Sequence, residues 1–159
     1  MTPAAAVPHG DIIPCSMTAA PFSHRVRIYW EDTDAGGVVF YANYLKLFER
    51  ARTEWLRALG FGQQRLRDEE GLMFVVTDTR VRFVQPARLD DELTITVAAV
   101  AAPRATLSLR QQALRGDTLL ADSDITLACV EAGTFRPRRI PNAIVGPIIG
   151  ALAPQPPGP

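Results

Sequence analysis

Seventeen residues, Asn43 to Leu59, run without a proline or a glycine, and Gly60 follows at once. Tyr44, Phe48, Ala51, Trp55 and Leu59 recur at helical spacing, and Leu45, Leu47 and Leu56 widen the apolar surface beyond one stripe. Asn43 suits an N-cap, and Gly60 suits the left-handed residue that ends a helix. A helix this apolar is covered on more than one side, so the remaining chain must fold around it.

That remainder is patterned as strands. Ser23 to Trp30 alternates Val26, Ile28 and Trp30 with Arg25, Arg27 and Tyr29. Beyond the helix, Gln63 to Asp68 reads as a short polar helix, and Leu72 to Val84 as a long strand closed by Pro86. Three further strands follow around Leu93-Ile95-Val97, over Thr106 to Leu114 and over Leu119 to Val130. Gly116-Asp117 suits a tight hairpin turn between the last two. The pattern predicts an α+β domain: an antiparallel sheet of about five strands, one face given to the helix, the other face or an edge left for a partner.

At 159 residues the chain holds one domain with a substantial core. Acids and bases balance at 17 each, which gives no general attraction to nucleic acid or anionic membrane. No apolar run approaches the roughly 20 residues that span a bilayer. Cys15 and Cys129 match no metal spacing, so reduced thiols in a cytoplasmic protein are expected. Residues 1–22, with His9 and several prolines, lack periodicity and the basic-then-apolar order of a signal peptide, and read as a disordered extension. Residues 143–159 read as a proline-rich tail, with at most a short helical turn near Ala143 to Val145. The domain is therefore expected over residues 23–142.

Chemistry points to the turn ahead of the long helix. Glu31, Asp32 and Asp34 are followed by Gly36 and Gly37. A carboxylate, ionised at neutral pH, attacks a carbonyl or activates water. A helix start offers free N–H groups for the oxygen that gains charge, with no metal and no cofactor required. Taken alone, a D-x-D is more often a simple turn or capping element than a catalytic one. Asp32 is expected to hold the turn. Glu49, on an apolar helix, is expected to pair with Arg52 or Arg50.

The run Glu31-Asp32-Thr33-Asp34-Ala35-Gly36-Gly37-Val38-Val39, then Tyr41-Ala42-Asn43-Tyr44 and Phe48-Glu49-Arg50-Ala51-Arg52, resembles the hotdog-fold acyl-CoA thioesterases. Within them it is similar to the Tol–Pal-associated (YbgC-type) group, related to the para-hydroxybenzoyl-CoA thioesterases. Pro86-Ala87-Arg88-Leu89-Asp90-Asp91 and Arg136-Pro137-Arg138 extend the likeness, which spans about residues 24 to 142. The resemblance implies a sheet curled around the helix, protomers paired edge to edge, active sites at that interface, and a homo-oligomer (dimer or tetramer). By position it implies Asp34 as the catalytic carboxylate and the backbone N–H of Tyr41 as the group that polarises the thioester carbonyl. It places Arg104 and Thr106 where relatives contact the CoA nucleotide. Many YbgC-type chains have His at the position of Tyr41; the Phe40-Tyr41 pair here is closer to the para-hydroxybenzoyl-CoA relatives.

The expected substrate is an acyl-CoA, with acyl carrier protein as the other thiol carrier. A non-catalytic hotdog regulator that binds acyl-CoA is the alternative, and it would not need Asp34. A dehydratase would need an ordered His, whereas His9 lies in a tail and His24 precedes the motif.

Overall fold

A computed structural model describes residues 20–151. The readings for His9, Cys15, most of the N-terminal extension and the last prolines lie outside the described residues. In chain order the elements are β1 (Phe22–Arg27), a 3-10 turn (Trp30–Asp32), α1 (Asn43–Ala58), α2 (Gln63–Glu70), β2 (Leu72–Phe83), β3 (Glu92–Ala101), β4 (Thr106–Arg115), β5 (Thr118–Glu131) and α3 (Asn142–Gly150). The strands form one sheet in the order β1-β3-β4-β5-β2, every pair antiparallel. The architecture is the expected one: α+β, with five antiparallel strands wrapped around one long helix.

The alternation of the strands sets which face meets α1. Leu93, Ile95, Val97 and Ala99 of β3, Leu107 and Leu109 of β4, and Ile125, Leu127 and Cys129 of β5 are buried with Tyr44, Leu47, Phe48, Ala51 and Trp55 of α1. Burying a side chain the size of Phe48 stabilises by about 1.5–3 kcal/mol. In β2, Thr77 is an extra residue: Val76 lies opposite Leu127 and Asp78 opposite Thr126, its immediate neighbour. β2 and β1 are the two open edges. Leu45, expected to widen the buried face, is instead exposed. Among the described residues no helix is long and apolar enough to cross a membrane.

Two terminal expectations change. β1 ends at Arg27 rather than at Trp30, because Ile28 exchanges backbone hydrogen bonds with the Asp90–Asp91 turn and the chain then coils into the 3-10 turn. Trp30 is consequently 80% exposed instead of facing the core. At the other end, the short turn expected near Ala143 to Val145 is part of α3, whose Ile144 and Ile148 are buried in the same core as β3. Pro147 sits inside this helix and removes one backbone donor, yet the buried isoleucines hold it in place. Ordered structure thus continues past Asn142.

Ile148→Ala is expected to cost about 2–5 kcal/mol, the range for emptying a buried isoleucine site. Urea unfolding at constant slope measures it; a loss below about 0.5 kcal/mol would place α3 outside the cooperative unit.

Candidate active site

The acidic turn is built by its own backbone. The Asp34 carbonyl accepts from the Gly37 N–H at 3.0 Å, the Asp34 N–H donates to the Val38 carbonyl at 2.9 Å, and Gly37 carries the positive φ of 75° that closes the turn. Asp34 itself is exposed. Its Oδ1 accepts from the Gly36 N–H at 2.8 Å, and among the described residues Oδ2 has no partner. A Cβ on residue 36 would stand 3.1 Å from that same Oδ1, so glycine leaves the carboxylate its place.

Asp32 has the opposite environment. It is 5% exposed; Oδ2 accepts from the Tyr29 N–H at 2.9 Å and Oδ1 from Asn43 Nδ2 at 3.3 Å. Its backbone carbonyl also accepts from the Phe40 N–H at 2.9 Å. Asn43 is therefore not the N-cap: Ala42 holds that position, and the Asn43 side chain, first in α1, is spent on Asp32. The role expected for Asp32, holding the turn, is the one these bonds describe.

The loop of residues 84–91 completes the frame. Val39 N–H donates to the Ala87 carbonyl at 2.8 Å, Val38 bridges Arg88, and the Ala87 N–H donates to the Tyr44 hydroxyl at 3.1 Å. Burial pushes the Tyr44 hydroxyl above its ordinary pKa, so it stays a neutral acceptor. The loop is closed by Asp91, whose Oδ2 accepts from the Arg88 N–H and from Arg115 Nη1, both at 2.8 Å.

These pieces enclose a cleft of about 300 Å³ lined by Asp34, Val38, Tyr41, Tyr44, Phe83 and Pro86, among others. The Tyr41 ring meets Phe40 at 4.8 Å and the edge of Phe83 at 6.4 Å. Tyr41 lies just before α1, and among the described residues no acceptor takes its N–H. Asp34 and Tyr41 thus line one mostly apolar cleft, and among the described residues neither the Asp34 Oδ2 nor the Tyr41 N–H has a partner.

Arg104 and Thr106 are elsewhere. Arg104 lies in the β3–β4 turn with φ 53°, and Thr106 pairs with Ala128, whereas Phe83 pairs with Ala121. Seven residues of β5 separate those partners, roughly 24 Å at ~3.4 Å each. Within one chain they do not meet the Asp34 cleft.

Glu49 does not pair with either arginine as expected; it is exposed and accepts from Thr53 Oγ1 at 2.7 Å. Arg52 reaches instead to Gln111 Oε1 at 2.8 Å, while Gln111 Nε2 donates to the Phe48 carbonyl at 3.0 Å. Sequence reading missed this link. Its signal was Gln111 standing in the inward register of Leu107, Leu109 and Ala113, where a polar side chain needs a buried partner.

The chain belongs to the thioesterase-like superfamily, whose family model matches residues 28–148. It is 42% identical over 123 residues to the acyl-CoA thioesterase YbgC of Haemophilus influenzae, a match covering 77% of this chain and 90% of that one. It is 41% identical over 130 residues to the acyl-CoA thioester hydrolase YbgC of Escherichia coli, covering 81% and 96%. A crystal structure of a probable thioesterase from Bartonella henselae superposes with a TM-score of 0.74 at 36% identity, covering 77% of this chain and all of that one.

The frame predicts an acid response. Burial alone would raise Asp91, but the Arg88 N–H and the Arg115 guanidinium outweigh it and hold its carboxyl below the ordinary value. A depressed folded-state pKa stabilises fully above the unfolded value of about 3.9 and is lost as pH falls through the folded one. Melting temperature should therefore fall on acidification below about pH 4, and Asp91→Asn should flatten that part of the profile. An identical acid limb in the variant would remove Asp91 from the account.

Proposed function

We infer that this chain hydrolyses acyl-CoA thioesters to a free acid and the CoA thiol, with Asp34 as the reacting carboxylate. The observation that carries this reading is the pairing of a carboxylate oxygen free of protein partners with the unfilled Tyr41 N–H in one cleft. The thioester carbonyl carbon lies between them, its oxygen toward the Tyr41 N–H. In one form Asp34 takes a proton from water, and the hydroxide adds to the carbon. In the other, Asp34 adds directly and water then cleaves the mixed anhydride. In both, the developing oxyanion is held by the N–H at the start of α1, the C–S bond breaks, and the departing thiolate is protonated. A single turnover in ¹⁸O-water bears on this: label in Asp34 requires the anhydride route with water adding at the aspartyl carboxyl carbon. Apolar walls from Tyr41, Tyr44 and Phe83 exclude competing water and receive the acyl group.

Asp34→Asn keeps the shape and removes the charge. Turnover is expected to fall at least about a hundredfold, ~3–5 kcal/mol for a full general base, with KM little changed. Asp32→Asn should show mainly in the melting temperature, since its oxygens hold the frame. Near-normal hydrolysis by folded Asp34→Asn protein would overturn the Asp34 assignment, whereas acyl-CoA binding without hydrolysis by the unaltered protein would favour an acyl-CoA-binding regulator.

The working unit is a homodimer paired through β2. This edge is open and carries Val76 and Phe83 half exposed. A two-fold axis sets the strand antiparallel to its copy, so the Phe83 end of one meets the Phe74 end of the other. The Arg104–Thr106 end of each protomer then lies toward the Asp34 cleft of its neighbour, where it can hold the CoA nucleotide. Sedimentation at micromolar concentration should give a dimer or a multiple of it. A fully active monomer would sink this arrangement. Acyl carrier protein as thiol carrier is tested by the same assay with acylated carrier in place of acyl-CoA.

A further inference from the structure

A second, smaller pocket of about 120 Å³ opens between α1 and the sheet, near the Phe74 end of β2. Trp55, Leu56, Phe74, Leu107 and Leu127 make its wall apolar, and the Arg52 guanidinium enters that wall. Arg52 carries five N–H donors, of which one bond is made, Nη1 to Gln111 Oε1 at 2.8 Å. Among the described residues it has no carboxylate partner. Glu49, one turn away and on the rim of the pocket, is drawn off: its Oε1 accepts from Thr53 Oγ1 at 2.7 Å, and that hydroxyl accepts from Gln63 Nε2 at 2.9 Å.

A half-buried cation against apolar walls with no carboxylate in hydrogen-bond contact is costly, and a buried glutamine holds it there. Loss of hydration lowers the Arg52 pKa, and Glu49 offsets this only in part. The planar fork of the guanidinium matches a carboxylate in two parallel hydrogen bonds. A carboxylate that enters the pocket would meet the donors Arg52 leaves unused.

We propose that this pocket receives the far end of the acyl group, and that Arg52 selects acyl chains ending in a second carboxylate over plain alkyl chains. The proposal rests on the thioesterase reading above and on the β2-paired dimer. In that dimer the Phe74 end of one protomer adjoins the Phe83 end of the other, so each Arg52 pocket continues the Asp34 cleft of its partner. Arg52 is a specificity residue here and takes no part in bond breaking.

The test is hydrolysis of matched pairs by the full-length protein: hexanoyl-CoA against adipoyl-CoA, and octanoyl-CoA against suberoyl-CoA. The acid-ended member of at least one pair is expected to have a kcat/KM about tenfold higher, because a site built to bond a polar group rejects the analogue lacking it. Arg52→Gln should abolish that ratio while alkyl substrates are still turned over. Equal kcat/KM within both pairs, or a preference that survives Arg52→Gln, would overturn the proposal. If neither member of any pair is hydrolysed, it is the thioesterase reading that fails.

Loss of the guanidinium also strips Gln111 of a donor, so stability is followed by melting, and a second measurement uses the unaltered protein. Free suberate should inhibit octanoyl-CoA hydrolysis about tenfold more strongly than free octanoate; equal inhibition counts against the proposal. Mixing Asp34→Asn with Arg52→Gln protein tests the crossing of the two-fold. Hybrid dimers hold one site with both residues intact only if Arg52 serves the partner's cleft. In hybrid dimers isolated through two different affinity tags, a restored tenfold preference supports that geometry, and hydrolysis without preference overturns it.

Discussion

One buried carboxylate holds the site together. Asp32 accepts from the Tyr29 N–H before it and from Asn43 Nδ2 after it, so the 3-10 turn and the start of α1 are bound to a single charge. A buried charge costs several kcal/mol unless its lone pairs are filled, and here the filling groups come from both flanks of the acidic turn. This division of labour separates two acids only two residues apart. Asp32 is consumed by structure; Asp34, held by the glycine turn, keeps an oxygen free of partners among the described residues.

A second tie fixes α1 along its length. The Tyr44 hydroxyl accepts from the Ala87 N–H, and Gln111 Nε2 donates to the Phe48 carbonyl. Apolar packing on α1 is non-directional and would tolerate a small slide along the axis. Hydrogen bonds at these points do not. The position of the Tyr41 N–H relative to Asp34 therefore depends on polar contacts buried within an otherwise apolar interface, and on the Asp91–Arg115 pair that closes the loop presenting Ala87.

Much of this was legible from the residues. The helix without glycine or proline, the strand alternation and the Gly116 hairpin follow from local chemistry, and the structure has them within a few residues. The acidic turn with its glycine pair lies just ahead of α1, as read, and lines a cleft there. What escaped was non-local. Trp30 continues the strand alternation on paper, but Asp32 turns the chain first. Asn43 looks like a cap because its partner, eleven residues back, is invisible to a local reading. Ile144 and Ile148 have helical spacing, yet Pro141, Gly146 and Pro147 around them hid the helix. Arg104 and Thr106 stand far from the cleft of their own chain, a separation that becomes visible only with the strand register.

The extra residue in β2 has a consequence for how this edge tolerates change. On the N-terminal side of Thr77, Phe74 and Val76 oppose the inward residues Cys129 and Leu127; beyond it Thr79, Val81 and Phe83 oppose Ile125, Ser123 and Ala121. Inward positions thus switch from even to odd numbers at one point. Arg80 and Arg82, between them, project from the outer face, where Arg82 meets Asp122. Deletion of Thr77 alone would only remove the bulge and keep every later partner, since Asp78 already lies opposite the neighbour of Leu127; loss of Asp78 as well would reverse the parity of everything beyond it. The ring of Phe83 would leave the cleft, and two guanidinium groups would be driven toward the helix. The boundary between an apolar wall and a charged one is here a matter of counting, and a frame of one residue decides which of them lines the cleft.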